Sequence, residues 1–176
     1  DLASGTLFLT SRAYPFRMAQ RAELSQLWTS MKFPNAATTS AKTVIAAPYR
    51  WSDGNIVGLK IFHSTDAPNV SANVRLRVRA ITRAVNVSIA TPEEDESFTV
   101  SVLDNLLRYN SSTIAFGSPL AFSRGDFLGL RIDRVGGDVA DTMTGNWHLI
   151  GVALMYEGEG PDSSGSGTWN VPPIGV

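Results

Sequence analysis

Between about residue 43 and residue 157, apolar side chains recur at every second position, and residues that favour turns interrupt them at short intervals. This is the period of strands with one buried face. The clearest stretch is NVRLRVRAI, in which Val74, Leu76, Val78 and Ala80 alternate with Arg75, Arg77 and Arg79. One of its faces is apolar and the other basic. The same alternation predicts strands at TVIAAPYRW (43–51), IVGLKIFHS (56–64), AVNVSIAT (84–91), SFTVSVLD (97–104), STIAFG (112–117), DFLGLRIDR (126–134) and NWHLIGVALMYE (146–157). The connectors Ser52-Asp53-Gly54-Asn55, Thr65-Asp66-Ala67-Pro68-Asn69 and Thr91-Pro92-Glu93-Glu94-Asp95-Glu96 oppose continued strand. About eight short antiparallel strands in one domain predict an all-β fold, an antiparallel β-sandwich of jelly-roll type, with a closed barrel as the alternative.

The two ends break this pattern. In MAQRAELSQLWTSM, Leu24, Leu27, Trp28 and Met31 stand at helical spacing, while Pro15, Pro34 and the run AATTSAKT flank the segment. A short amphipathic helix and a strand-poor arm both fit residues 1–42. The C-terminal EGEGPDSSGSGTWNVPPIGV has the composition of a linker, with Trp169, Val171 and Ile174 as its apolar anchors. The expected organisation is an N-terminal arm (1–42), a jelly-roll sandwich (43–157) and an extended Gly/Ser/Pro-rich tail (158–176). Leu24, Leu27 and Trp28 of the arm and Trp169, Val171 and Ile174 of the tail are the expected contacts with neighbouring subunits.

Composition narrows the function classes. A chain of 176 residues can bury a core without disulfides or metals. The formal charge of -1 gives no global field to attract nucleic acid or an acidic substrate, and the absence of cysteine excludes thiolate metal sites and cysteine nucleophiles. No apolar run reaches the roughly 18 residues of a membrane helix, so a soluble protein is expected and neither nucleic acid nor membrane is an expected partner.

The densest group of chemical side chains is RIDRVGGDVADT, with Asp133, Asp138 and Asp141 around Gly136-Gly137. Calcium would take six to eight oxygens, but the spacing matches no motif of defined geometry. The competing reading is a structural turn, in which the aspartates bond nearby amides or pair with Arg131 or Arg134 and the glycines supply positive φ. The two histidines, His63 and His148, lie within strand patterns and outside any nucleophile motif. The acidic run Glu93 to Glu96 reads as solvated surface rather than half of a glycosidase pair. The ladder Arg75, Arg77, Arg79 and Arg83 lacks interleaved aromatics and reads as pairing with acids on a neighbouring strand or subunit. Tyr49, Trp51 and Trp147, with Tyr156, are candidates for a glycan platform. No catalytic, metal or cofactor site is expected, and the chain reads as a non-enzyme.

The segments PYRWSDGNIVGLKIF and GDFLGLRIDRVGGDVADTMTGNWHLIGVALMYE resemble jelly-roll modules in the virion proteins of tailed bacteriophages, of head-decoration, tail-fibre or baseplate type. In that framework a strand of the form Gly-Asp-hydrophobic-Leu-x-Leu-Arg-x-x-Arg leads through a loop with Ala-Asp-Thr to a last strand ending in an aromatic. The matching residues are Gly125 to Arg134, Ala140-Asp141-Thr142 and Trp147 to Tyr156. The resemblance covers about two thirds of the chain, the stretch from Pro48 to Tyr156, and carries over no catalytic residue. It implies a virion structural protein, foremost a capsid decoration or reinforcement protein. Such a protein would be a homo-oligomer, with a trimer favoured, that binds other virion proteins such as the major capsid protein. The alternative is a tail-fibre or receptor-binding module that takes a host surface glycan.

Overall fold

In the computed structural model of the chain, residues 4–10, 20–25, 28–35, 38–47, 53–66, 72–84, 86–102 and 109–159 are described. Among them every regular element is a strand: β1 (Ser4–Thr10), β2 (Gln20–Ser25), β3 (Trp28–Phe33), β4 (Thr38–Ala46), β5 (Asp53–Thr65), β6 (Ala72–Arg83), β7 (Glu94–Val102), β8 (Asn110–Ser123), β9 (Phe127–Val135) and β10 (Trp147–Glu159). One sheet runs β2-β3-β10-β5-β8, with β1 also on β10, and the other runs β4-β9-β6-β7. All their pairings are antiparallel. From β3 onward the chain alternates between sheets, except for the consecutive pair β6 and β7. The result is a jelly-roll sandwich.

The interior is built from the inward positions of this alternation. Ile56, Leu59, Ile61, Val74, Leu76, Val78, Leu128, Leu130, Ile132, Val152 and Leu154 are all buried between the sheets. At one end Phe33 meets Trp147 edge-on at 5.2 Å, and His63 lies 5.6 Å from the same indole. Burial pushes His63 down to about 4, so the ring is neutral, and its Nε2 lies 3.0 Å from Ser112 Oγ.

Several expectations need correction. MAQRAELSQLWTSM is not a helix. Leu24 falls in β2 and Trp28 opens β3, while Leu27 lies outside the described residues. The deciding positions are Met31 and Phe33, both buried and two apart. Paired with Leu149 and Trp147, they complete the sandwich on the edge of β10. Strand formation extends well into residues 1–42, since β1 and β3 share that edge and β4 begins at Thr38. Backbone pairing outweighed a weak helical spacing.

AVNVSIAT is likewise not a strand. Asn86 adopts φ 69°, and Val87 and Ile89 are exposed, so the alternation has no sheet to bury against. Conversely, two expected turns are strand: β7 starts at Glu94, inside the acidic run, and β5 starts at Asp53, so Asp53, Gly54 and Asn55 pair with β10 and β8 instead of forming a connector. The tail anchors Trp169, Val171 and Ile174, and Tyr49 and Trp51, lie outside the described residues.

Candidate functional site

On β9 the pleat sends Arg134 inward and Asp133 outward. Arg134 is 0% exposed, and donors of its guanidinium are met from several sides. Asp141 accepts from Nε at 2.9 Å and from Nη2 at 2.8 Å. The carbonyls of Phe33, Gly145 and Met143 accept at 3.0, 2.8 and 2.8 Å. This one side chain ties β3 and the loop after β9 to the core. Asp138 Oδ1 accepts from the Ala140 amide at 2.8 Å, and its carbonyl from the Asp141 amide at 2.9 Å. Gly137 has φ +89°, whereas Gly136 is not among the positive-φ residues, so one glycine and not the pair makes the turn. The three aspartates thus serve three separate sets of partners. Among the described residues no group of three acids or histidines converges as a metal would need.

Asp133 faces the other way and anchors a lattice on the outer side of the β4-β9-β6-β7 sheet. It is 1% exposed and accepts from Ser40, from Arg79 and from Arg131 Nε at 2.7 Å. Burial alone would raise its carboxyl, but these three donors outweigh burial and hold it below the usual range. The neighbouring rows follow from register. Lys42, Arg131, Arg79 and Asp95 lie abreast in one, and Val44, Gly129 and Ile81 in the next. Asp95 is held by Arg77 through paired contacts of 2.5 and 2.7 Å, and Arg75 donates to Thr99 at 2.9 Å. The arginine ladder therefore pairs largely across strands.

Over this face folds the connector from β6 to β7. Arg83 fixes its shape, donating to the Ser88 carbonyl at 2.6 Å, to the Thr91 carbonyl at 3.4 Å and to Glu93. Glu93 in turn accepts from the Thr82 amide and hydroxyl at 3.0 and 2.8 Å. Between connector and sheet lies a cleft of about 440 Å³. Lys42, Arg79 and Arg131 line one side and Val44, Ile81 and Ile89 the other, with Gly129 beneath. A side chain at Gly129 would occupy this space, its Cβ only 3.1 Å from Ile81 Cγ2. Val44 is 66% and Ile89 78% exposed, so apolar surface borders the charged row directly.

No family model matches the sequence, and no curated protein matches it. Among solved structures, the chain is similar to a family 35 carbohydrate binding module from Clostridium thermocellum, with a TM-score of 0.52 and 12% identity over 85% of this chain and 97% of that one. A family 35 module from an environmental isolate gives 0.51 and 10% identity over 84% and 90%. The likeness is one of fold. A structure of infectious bursal disease virus, at 0.40 and 10% identity over 90% of this chain and 33% of that one, is too distant to bear on function.

The sequence-predicted sites fare unequally. Trp147 is 0% exposed, packed between Phe33 and His63, and so cannot be a glycan platform; its inward parity on β10 decides this. An aromatic surface that sequence reasoning missed lies at the start of β8, where Tyr109, 53% exposed, stacks on Phe62 at 5.6 Å. Phe62 occupies an outward position of β5, and that parity was the available signal. His148 stands between a hydroxyl and a carboxylate: Ser30 Oγ is 2.9 Å from Nδ1, and Asp66 Oδ2 is 3.4 Å from Nε2. Ser30 is only 1% exposed, which bars a substrate from its hydroxyl. Asp66 is engaged by the Asn146 amide at 2.8 Å and its side chain at 2.5 Å. The arrangement clamps the ends of β5 and β10. Burial lowers the His148 pKa, Asp66 opposes the shift, and nearby Lys32 adds to it.

Proposed function

We propose that the chain is a non-enzymatic, carbohydrate-binding jelly-roll module of the receptor-binding kind, with the cleft above Gly129 as its ligand site. The observation that carries this reading is the cleft itself. Its volume of about 440 Å³ suits one or two sugar rings. Its apolar side of Val44, Ile81 and Ile89 can take the carbon face of a ring, while pre-oriented guanidinium groups offer fixed donors to hydroxyls. Proteins sharing the fold are named for carbohydrate binding, which supports the ligand class.

The virion expectation fits beside this reading as a setting. On a phage particle, such a module would be a receptor-facing part rather than a capsid reinforcement. The test is a glycan microarray probed with the wild type and with Gly129→Val. The valine fills the cleft floor from a position with ordinary φ, so the fold should persist, as circular dichroism can verify. Binding by the wild type that Gly129→Val abolishes is the expected result. Equal binding by both would move the site elsewhere, and no binding by either would remove the glycan reading.

A further inference from the structure

Cations crowd one side of the cleft. Lys42, Arg131 and Arg79 are direct cross-strand neighbours, spaced about 5 Å apart as adjacent strands require. Like charges set opposite one another in this way repel. Among the described residues, Asp133 forms their ion pairs, with Arg79 and with Arg131, while Asp95, next in the row, is engaged bidentately by Arg77. Lys42 has no hydrogen bond or ion pair among the described residues. Arg79, which lines the cleft, keeps its Nε buried with no partner. A buried guanidinium donor without an acceptor carries a desolvation cost, and the rest of the Arg79 side chain, 25% exposed, stays open to the cleft.

Resting on the glycan reading, we infer that the ligand is an anionic saccharide, whose carboxylate or sulfate ester sits across Lys42, Arg131 and Arg79 while its ring lies over Gly129. The oxyanion offsets the repulsion along the row and accepts charge-assisted hydrogen bonds from the Lys42 ammonium and from the exposed parts of the Arg131 and Arg79 guanidinium groups, whose side chains are 32% and 25% exposed. The neutral side of the cleft begins one row away, at Val44 and Ile81, so charge and ring are read together. A small inorganic anion would use only the first half of this surface.

The experiment compares affinities for dextran, carboxymethyl dextran and dextran sulfate, and for neutral and acidic oligosaccharides, by titration calorimetry. Wild type, Lys42→Met and Lys42→Arg are run in parallel, with inorganic sulfate and duplex DNA as controls. The expected result is preference for acidic saccharides and a loss of roughly three- to tenfold in Lys42→Met at unchanged melting temperature. Lys42→Arg should retain binding, and wild-type affinity should fall as salt rises. Equal affinity for neutral and acidic saccharides overturns the inference and leaves the glycan reading standing. Binding of every polyanion, DNA included, that is indifferent to Lys42→Met also overturns it. Absence of any saccharide binding removes the glycan reading and the inference with it. The carboxymethyl and sulfate arms tell which oxyanion the row takes.

Discussion

Asp133 and Arg134 follow one another on β9, and each joins an arginine–aspartate group on its own side of the sheet. Inside, Arg134 and Asp141 bond to each other twice, and three backbone carbonyls take further donors. Outside, Asp133 serves Arg79, Arg131 and Ser40, yet Arg79 Nε is left without a partner and Lys42 without a counterion among the described residues. Saturation is what separates the two. A buried pair with its donors met holds the fold and offers nothing to a ligand, whereas a half-satisfied lattice beside an open cleft has donors to give.

The first way to break this contrast is to remove Arg134. Arg134→Met should cost about 3–5 kcal/mol in urea unfolding, because Asp141 and three carbonyls lose their donor in the interior. The double variant Arg134→Met/Asp141→Leu should recover part of that loss, since no uncompensated charge remains. The next largest effect is a pH effect of the interior. His63 titrates near 6.5 in the unfolded chain and at about 4 when folded. The unfolded state therefore binds more protons between those values, and stability contributed by the neutral ring is lost as pH falls through that window. The loss amounts to about 3 kcal/mol, and His63→Leu should flatten that part of the profile.

Asp133→Asn sharpens the comparison from the outside. It should cost about 1–3 kcal/mol, less than Arg134→Met, because the arginines it deserts can reach solvent. Since the Asp133 carboxyl is held low, its contribution is present above the ordinary carboxylate pKa and lost as pH falls through the folded value. The smallest stability effect belongs to Gly129→Val, under about 1.5 kcal/mol, with ligand binding lost.

Much of this was legible in the sequence. The period-two pattern located the core of β5, β6, β8, β9 and β10, because each has a face buried in one interior, although β5 runs through the Asp53-Gly54-Asn55 expected as a turn. Pairing of the acidic loop with Arg134 was readable from opposite charges seven residues apart across a turn. What period two could not supply was the destination of each face. It made AVNVSIAT a strand, although the segment joins neither sheet and Val87 and Ile89 stay exposed, and it offered Trp147 as a platform although its parity points inward. β3 was hidden because Leu24, Leu27, Trp28 and Met31 fit a helical period while Met31 and Phe33 alone carried the strand. The cleft was illegible for a related reason. Lys42, Arg79, Gly129 and Ile89 come from four separate segments, and only sheet order and the fold of the connector bring them together.

The most direct test follows amide resonances of the ¹⁵N-labelled protein as an acidic oligosaccharide is added. The account predicts shifts concentrated at residues 42–44, 79–81, 89–91 and 129–131, with amides around Arg134 and Asp141 unmoved. Shifts centred on Tyr109 and Phe62, or on the loop from Gly136 to Asp141, would contradict it.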